Sequence, residues 1–193
     1  MAPNTQTQPK DSLRQQAKQI RKVLKDKGGF DAIEAATHHA KQLIKGIDPS
    51  VTIGLYYPIG DEMETRLLAQ SLQTMGRQTA LPVVTGKDQP LQFKIWEIGD
   101  PLVGGMFNTK QPEDAAPTVT PGFLIVPLLG YDNQCYRLGY GGGFYDRTLM
   151  AMPIIKAFGL AYGGQIIDNL PREDHDVPMH GIITDSGLIL PQQ

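Results

Sequence analysis

The sequence predicts an α/β protein: a three-layer, Rossmann-like, mostly parallel sheet flanked by helices. Three observations predict it. Short apolar and β-branched runs alternate along the chain with stretches of helical periodicity, the order expected when helices cover both faces of a sheet. One run, "GFLIVPLLG", is apolar at nearly every position, as a strand buried on both faces must be. A glycine cluster, Gly139 and Gly141 to Gly143, stands between a strand end and a helix start, where such sheets hold ligands.

With 193 residues, 40% hydrophobic and 20% charged, the chain suits one domain over 10–193 behind a flexible tail of residues 1–9, whose Pro, Asn, Thr and Gln offer little to bury. A net charge of -2 gives no basis for a nucleic-acid surface or a polybasic membrane anchor. No run approaches the roughly 18 apolar residues of a membrane span. The first ten residues are polar where a signal peptide would be apolar. Cys135 stands alone, which excludes an internal disulfide and a cysteine-rich zinc site and fits a reducing compartment. The expectation is a cytoplasmic protein with small-molecule partners, without nucleic acid, membrane or an obligate protein partner.

The elements follow in order. Leu13, Ala17, Ile20 and Leu24 form one helical stripe that begins near Lys10 and ends at Gly28-Gly29. Asp31 and Glu34 have capping-box spacing for a second helix, with Ile33, Ala36, Ala40 and Leu43 on its apolar face, until Asp48-Pro49 stops it. "VTIGLYY" reads as a strand and "TRLLAQSLQTM" as a helix. "QTALPVV" is the next strand, and "LQFKIWEI" alternates Phe93, Ile95 and Glu97 against Gln92, Lys94 and Trp96, as a half-exposed strand near an edge does. From Gly99 to Pro121 the chain reads as a long connection, and such a loop is more often functional than idle. "GFLIVPLLG" ends at Pro127. The glycine cluster and the helix of "RTLMAM" come next. "IKAFGLAYG" is another buried strand, and "GIITDSGLIL" a closing hairpin around Asp185-Ser186-Gly187.

In "RLGYGGGFYDRTL" the glycines clear side chains from a backbone that leads into a helix. Unpaired N–H groups and partial positive charge at that helix start suit a phosphate, with Arg137 and Arg147 as charged donors from either side. Neither the P-loop pattern nor G-x-G-x-x-G fits, so the bland alternative is a glycine-rich turn with surface arginines. Lys10 and Arg14 share a face near the first helix's N-terminus, where two cations four apart gain nothing unless an anion is present. The alternative is a solvated basic face with Lys18 and Arg21. In "YYPIGDEMETRLL", Asp61 and Glu64 have capping-box spacing, whereas Glu62 is not needed for a cap and, beside Tyr57, could accept the N–H groups of a heterocycle. In "REDHD", 172–176, the carboxylates could hold magnesium, against the alternative of an exposed turn. The four histidines lack zinc-like spacing.

Taken together these residues resemble the 5-formyltetrahydrofolate cyclo-ligase family, also called methenyltetrahydrofolate synthetase, over nearly the whole chain from Lys10. "RLGYGGGFYDR" is the most specific match. "K-x-x-L-R" at Lys10 to Arg14, "DEMET" from Asp61, "ALP" from Ala80, "HD" at His175-Asp176 and "IIT" from Ile182 follow the same order.

The resemblance implies ATP-driven ring closure. The formyl oxygen of 5-formyltetrahydrofolate is phosphorylated, another folate nitrogen attacks the activated carbon, and phosphate leaves, giving 5,10-methenyltetrahydrofolate. Lys10, Arg14, Arg137 and Asp146 are then the catalytic candidates. ATP would meet Lys10, Arg14, Arg137, Gly139, Tyr140, Gly141, Gly142, Gly143, Phe144 and Tyr145. Folate would meet Tyr57, Glu62, Tyr140 and Tyr145. Mg2+ would be carried by Asp146 and Asp176. The sequence departs from the family pattern at Cys135, where glycine is usual, and at Gln111, where Glu precedes the proline. The alternatives are a paralogue acting on another formylated amine and a non-catalytic folate or nucleotide-binding regulator.

Overall fold

A computed structural model describes residues 10–192; the reading of residues 1–9 as a flexible tail lies outside them. The first helix, α1 (Lys10–Lys45), joins the two expected helices through a bend at Gly28, whose φ of -155° and ψ of 25° are not helical. The bend falls where expected. No side chain of Asp31 or Glu34 caps the second half, because the helical run continues through the bend and has no free N-terminus there. The buried stripe also differs: Ala17 and Arg21 face inward, while Ile20 is 46% exposed.

Arg77 closes the C-terminal end of α1. Its guanidinium donates to the carbonyls of Ile44 (2.9 Å), Ile47 and Asp48, just where a helix end runs out of intrahelical donors. Arg77→Ala is expected to lower unfolding free energy by about 1.5–3 kcal/mol, the range for charged hydrogen bonds, in a denaturant or thermal melt.

β1 (Ile53–Gly54) is followed by α2 (Arg66–Thr74), which buries Leu68, Ala69 and Leu72. The expected Asp61–Glu64 capping box is not formed. The helix starts later, at Arg66, so Glu64 instead accepts the N–H of Arg66 at 2.9 Å and Asp61 pairs with Lys25 at 3.2 Å. β2 (Thr79–Val83) and β3 (Gln92–Ile95) run antiparallel. β3 does not alternate cleanly: Lys94 is buried, its ammonium held by the carbonyls of Glu113 and Asp114. The long connection has structure of its own. β4 (Leu102–Gly104) and β5 (Lys110–Pro112) pair around a single 3-10 turn at Met106–Asn108, and β6 (Thr118–Val119) then pairs with β3.

β7 (Phe123–Pro127) is the buried central strand and ends at Pro127 as expected. A small ladder of β8 (Gly130–Tyr131) and β9 (Arg137–Leu138) leads into the glycine loop and α3 (Phe144–Ala151). β10 (Lys156–Ala161), β11 (Gly181–Thr184) and β12 (Gly187–Ile189) follow, the last two as the expected hairpin.

The main sheet has eight strands in the order β12-β11-β10-β7-β1-β2-β3-β6. β11, β10, β7, β1 and β2 are parallel, and the outer strands antiparallel. Side chains alternate between two cores. Phe123 and Ile125 of β7 pack with Ala40, Ile44, Leu68 and Leu72 of α1 and α2, whereas Leu124 and Val126 pack with Leu149 of α3. Helices on both faces make this the expected three-layer α/β fold. The strand order reverses between β1 and β7, since the chain leaves β1 toward β2 and returns on its other side. The crevice beyond the carboxyl ends of these strands is the natural ligand position.

Candidate active site

A cleft of about 480 Å³ occupies that crevice, and the ATP, folate and metal candidates that the resemblance names all line it. They arrive from four places: the start of α1, the loop after β1, the glycine loop with α3, and the "REDHD" segment.

One side of α1 runs beside the cleft. Lys10 Nζ lies 2.9 Å from Asp176 Oδ2 and 3.0 Å from Glu173 Oε1. Burial opposes the ammonium charge, but these carboxylates outweigh it and hold Lys10 above its ordinary pKa. Burial likewise works against the Asp176 carboxylate, and hydrogen bonds from Lys10 and the Glu173 N–H hold it below the usual value. Arg14 Nε donates to the Gly139 carbonyl at 3.1 Å. Further along, Lys25 donates to the Gly60 carbonyl and so ties α1 to the loop after β1.

The glycine loop owes its shape to backbone that side chains disfavour. Gly141 has φ of 96°, and Gly143, the N-cap of α3, has φ of 64°. The start of α3 and its glycine N-cap thus line the cleft, with Arg14 beside Gly141. Arg137, with 4% of its side chain exposed, places Nη2 2.6 Å from Asp146 Oδ1 and donates through Nη1 to the Val177 carbonyl. The 2.6 Å contact lies off the N–H direction and is an ion pair more than a hydrogen bond. Arg147 is a correction. Its guanidinium donates to the carbonyls of Gly142, Lys87 and Gln89, so it braces the loop and is no donor to an anion.

At the other end, Glu62 is 5% exposed and accepts the Ile59 N–H at 2.8 Å through Oε2. Burial raises its pKa, opposed by that N–H, Tyr140 and Arg21. Tyr57 meets Trp96 edge-on at 6.4 Å, with Lys110 Nζ 5.5 Å from its ring. Tyr140 has Lys18 and Arg21 over its ring, and Tyr145 lines the cleft with its phenol pKa raised, chiefly by burial and then by Glu62. Phe144 packs on Phe107 at 5.5 Å.

Sequence reasoning missed several of these neighbours. "REDHD" is not a plain exposed turn: Arg172 pairs with buried Asp132 at 2.6 Å, and Glu173, His175 and Asp176 line the cleft. The cluster of charges was the available signal. Phe107, Thr109 and Lys110 come from the β4–β5 turn, which no periodicity marks. Arg21 is buried, not part of a solvated face. Of the two departures, Gln111 does not line the cleft. Cys135 adopts φ of 62°, the left-handed backbone that glycine takes without strain, so the approach bends despite the departure.

Fold and site define a doubly wound α/β protein with a cleft at its switch point lined by a glycine loop and by Lys10, Arg14 and Arg137. A model of the 5-formyltetrahydrofolate cyclo-ligase family matches residues 6–185. The 5-formyltetrahydrofolate cyclo-ligase of Haemophilus influenzae is 33% identical, over 92% of this chain and 98% of its own. That of Mycolicibacterium smegmatis is 30% identical over 95% of each. The solved 5,10-methenyltetrahydrofolate synthetase of Mycoplasma pneumoniae superposes with a TM-score of 0.70 at 25% identity, covering 92% of this chain and 99% of that one. That of Aquifex aeolicus shares the fold, with a TM-score of 0.75 at 24% identity over 95% and 93%. The chain belongs to the 5-formyltetrahydrofolate cyclo-ligase family.

Proposed function

We propose that the protein converts 5-formyltetrahydrofolate to 5,10-methenyltetrahydrofolate with ATP and Mg2+, releasing ADP and phosphate, in the cytoplasm. The observation that carries this reading is the convergence of Lys10, Arg14, the glycine loop, Asp146, Asp176, Tyr57 and Glu62 on one cleft. Phosphoryl transfer depends mainly on positioning and on neutralising phosphate charge, and this cleft offers groups for both.

Lys10, Arg14 and the N–H groups of the loop and α3 would receive the triphosphate, with Arg137 behind them. Tyr57 and Glu62 would orient the folate so that its formyl oxygen faces the terminal phosphate, and Tyr140 and Tyr145 would pack beside it. Among the described residues no three His, Cys, Asp or Glu side chains gather to hold a metal. Magnesium needs only one or two carboxylates when phosphate oxygens and water complete its shell. Asp146 and Asp176 suit it, because each makes its contacts through one oxygen, Oδ1 and Oδ2 respectively, leaving the other for a ligand. The chemistry the metal supplies there is neutralisation of charge on the transferring phosphoryl group.

Incubating the protein with 5-formyltetrahydrofolate and magnesium ATP should produce the methenyl absorbance together with ADP. Binding of both ligands without product would favour a regulator, and turnover of a different formylated amine alone a paralogue. Lys10→Ala and Arg14→Ala should each raise KM for ATP by about tenfold or more, as loss of a charge-assisted contact does, with KM for the folate within about twofold. Unchanged ATP kinetics with a lowered melting temperature would leave both as structural cations.

A further inference from the structure

Four lysine and arginine side chains line the cleft: Lys10, Arg14, Lys110 and Arg137. Three of them already face carboxylates of the protein, Lys10 at Asp176 and Glu173, Arg14 at Asp11, and Arg137 at Asp146. Lys110 differs. Among the described residues no carboxylate pairs with its ammonium, which lies instead over the ring of Tyr57, 5.5 Å from the centroid. Arg66, from the start of α2, stands by the same ring with its Cζ 6.0 Å from the centroid, but Glu64 matches its charge.

The element that carries Lys110 is built at some cost. The β4–β5 hairpin pairs with itself and not with the main sheet, and at its tip Phe107 and Asn108 both have φ of 59°. A phenylalanine adopts that left-handed backbone only under strain. Its effect is to let one short hairpin reach both walls of the cleft: Phe107 packs on Phe144 at the start of α3, and three residues later Lys110 lies over Tyr57. Strain of this kind persists where the surrounding structure fixes it, and ligand clamps are among the usual places.

Depth orders the groups along this side of the cleft. Glu62 is buried, Tyr57 is half-buried, and Lys110 is exposed. The folate has a matching order: a ring system with N–H donors at one end, an aromatic middle, and a glutamate end with two carboxylates. With its rings at Glu62 and its middle passing Tyr57, its carboxylates emerge at Lys110.

We propose that Lys110 is a specificity-determining residue that binds a carboxylate of the substrate's glutamate end at the mouth of the cleft. The proposal rests on the function given above. An ammonium on a four-carbon stem is a mobile point charge with three donors, suited to a carboxylate on a flexible chain. At a solvated rim such a contact contributes modestly to affinity and selects for charge.

The test pairs the residue with the charge it reads. Lys110→Ala and Lys110→Arg are assayed with 5-formyltetrahydrofolate and with its diamide, in which both glutamate carboxyls are neutral amides. In Lys110→Ala, KM for the folate should rise about three- to fivefold, the size of an exposed charge pair, with kcat and KM for ATP within about twofold. The parental protein should show a similar rise on going from acid to diamide. Lys110→Ala should show little further rise with the diamide, since one contact cannot be lost twice. Lys110→Arg should stay near the parental KM, and added salt should raise the folate KM of the parent more than that of Lys110→Ala.

Lys110 is exposed on a hairpin outside the main sheet, so Lys110→Ala should melt with the parent. The comparison of acid with diamide on the parental protein needs no variant and decides the charge preference by itself. Turnover of 5-formyltetrahydrofolate by the parent checks the underlying function separately, and its absence would sink both readings. With that turnover present, an unmoved folate KM in Lys110→Ala, additive losses from the variant and the diamide, or a rise in KM for ATP in place of the folate would each overturn the Lys110 assignment alone. So would a lower melting temperature with equal losses on acid and diamide, which would make Lys110 a brace for Tyr57.

Discussion

Asp146→Asn is expected to lower turnover by about 10²-fold or more, the range seen when a group that stabilises transition-state charge is removed. By sequence alone the residue is an acid in the first turn of a helix, worth roughly 0.3–1 kcal/mol there, and Asn also serves well at helix starts. Two further tasks bear on it, one seen and one proposed. Oδ1 faces the nearly buried Arg137 and accepts the Val177 N–H at 3.2 Å, and Oδ2 is the atom at which the proposed magnesium ion would bind. Asn keeps an acceptor for Val177 but removes the charge opposite Arg137, so stability should also fall by about 1–3 kcal/mol.

The two tasks separate by measurement. Loss of the metal role raises the magnesium concentration needed for half-maximal rate, whereas loss of the ion pair lowers the melting temperature whether or not ligand is present. A folded Asp146→Asn protein that turns over at the parental rate in limiting magnesium would sink the metal assignment.

Gly141→Val is expected to abolish ATP-dependent turnover while the rest of the fold persists. A φ of 96° is an outlier for any β-branched residue, and a Cβ there would stand 3.3 Å from the Arg14 guanidinium carbon. The loop must therefore rebuild, at a cost of about 1–3 kcal/mol that an exposed segment can bear without unfolding the sheet. Gly139→Ala is the informative companion, because a Cβ at Gly139 meets nothing within 4 Å and its φ is not positive. Any loss of ATP affinity in Gly139→Ala reports obstruction of an incoming phosphate and not strain. Near-parental ATP kinetics in folded Gly141→Val would remove the phosphate role of the loop.

Much of this site was legible because its signals are local. Glycines bunched before a helix, cations four apart at a helix start and an unexplained carboxylate after a strand each stand out within a dozen residues, and all line the cleft. The signals that misled were equally local. Asp31–Glu34 and Asp61–Glu64 have capping-box spacing, yet one lies within a continuing helical run and the other precedes a helix that starts late. Arg147, beside the glycines, reads like an anion donor but bonds to carbonyls of a loop nearly sixty positions earlier in the chain.

What the sequence determined by itself is the alternation of strands and helices, the buried central strand and the existence of a backbone built for close approach. These depend on periodicity and on the conformational freedom of particular residues, both written within short windows. Tertiary structure alone decided which charges meet. Lys10 finds Asp176 across 166 positions, Arg21 turns inward where Ile20 was expected, and "REDHD" closes one side of the cleft. The physical reason is that charge pairing depends on distance in space and on burial, which packing sets only once the sheet has assembled.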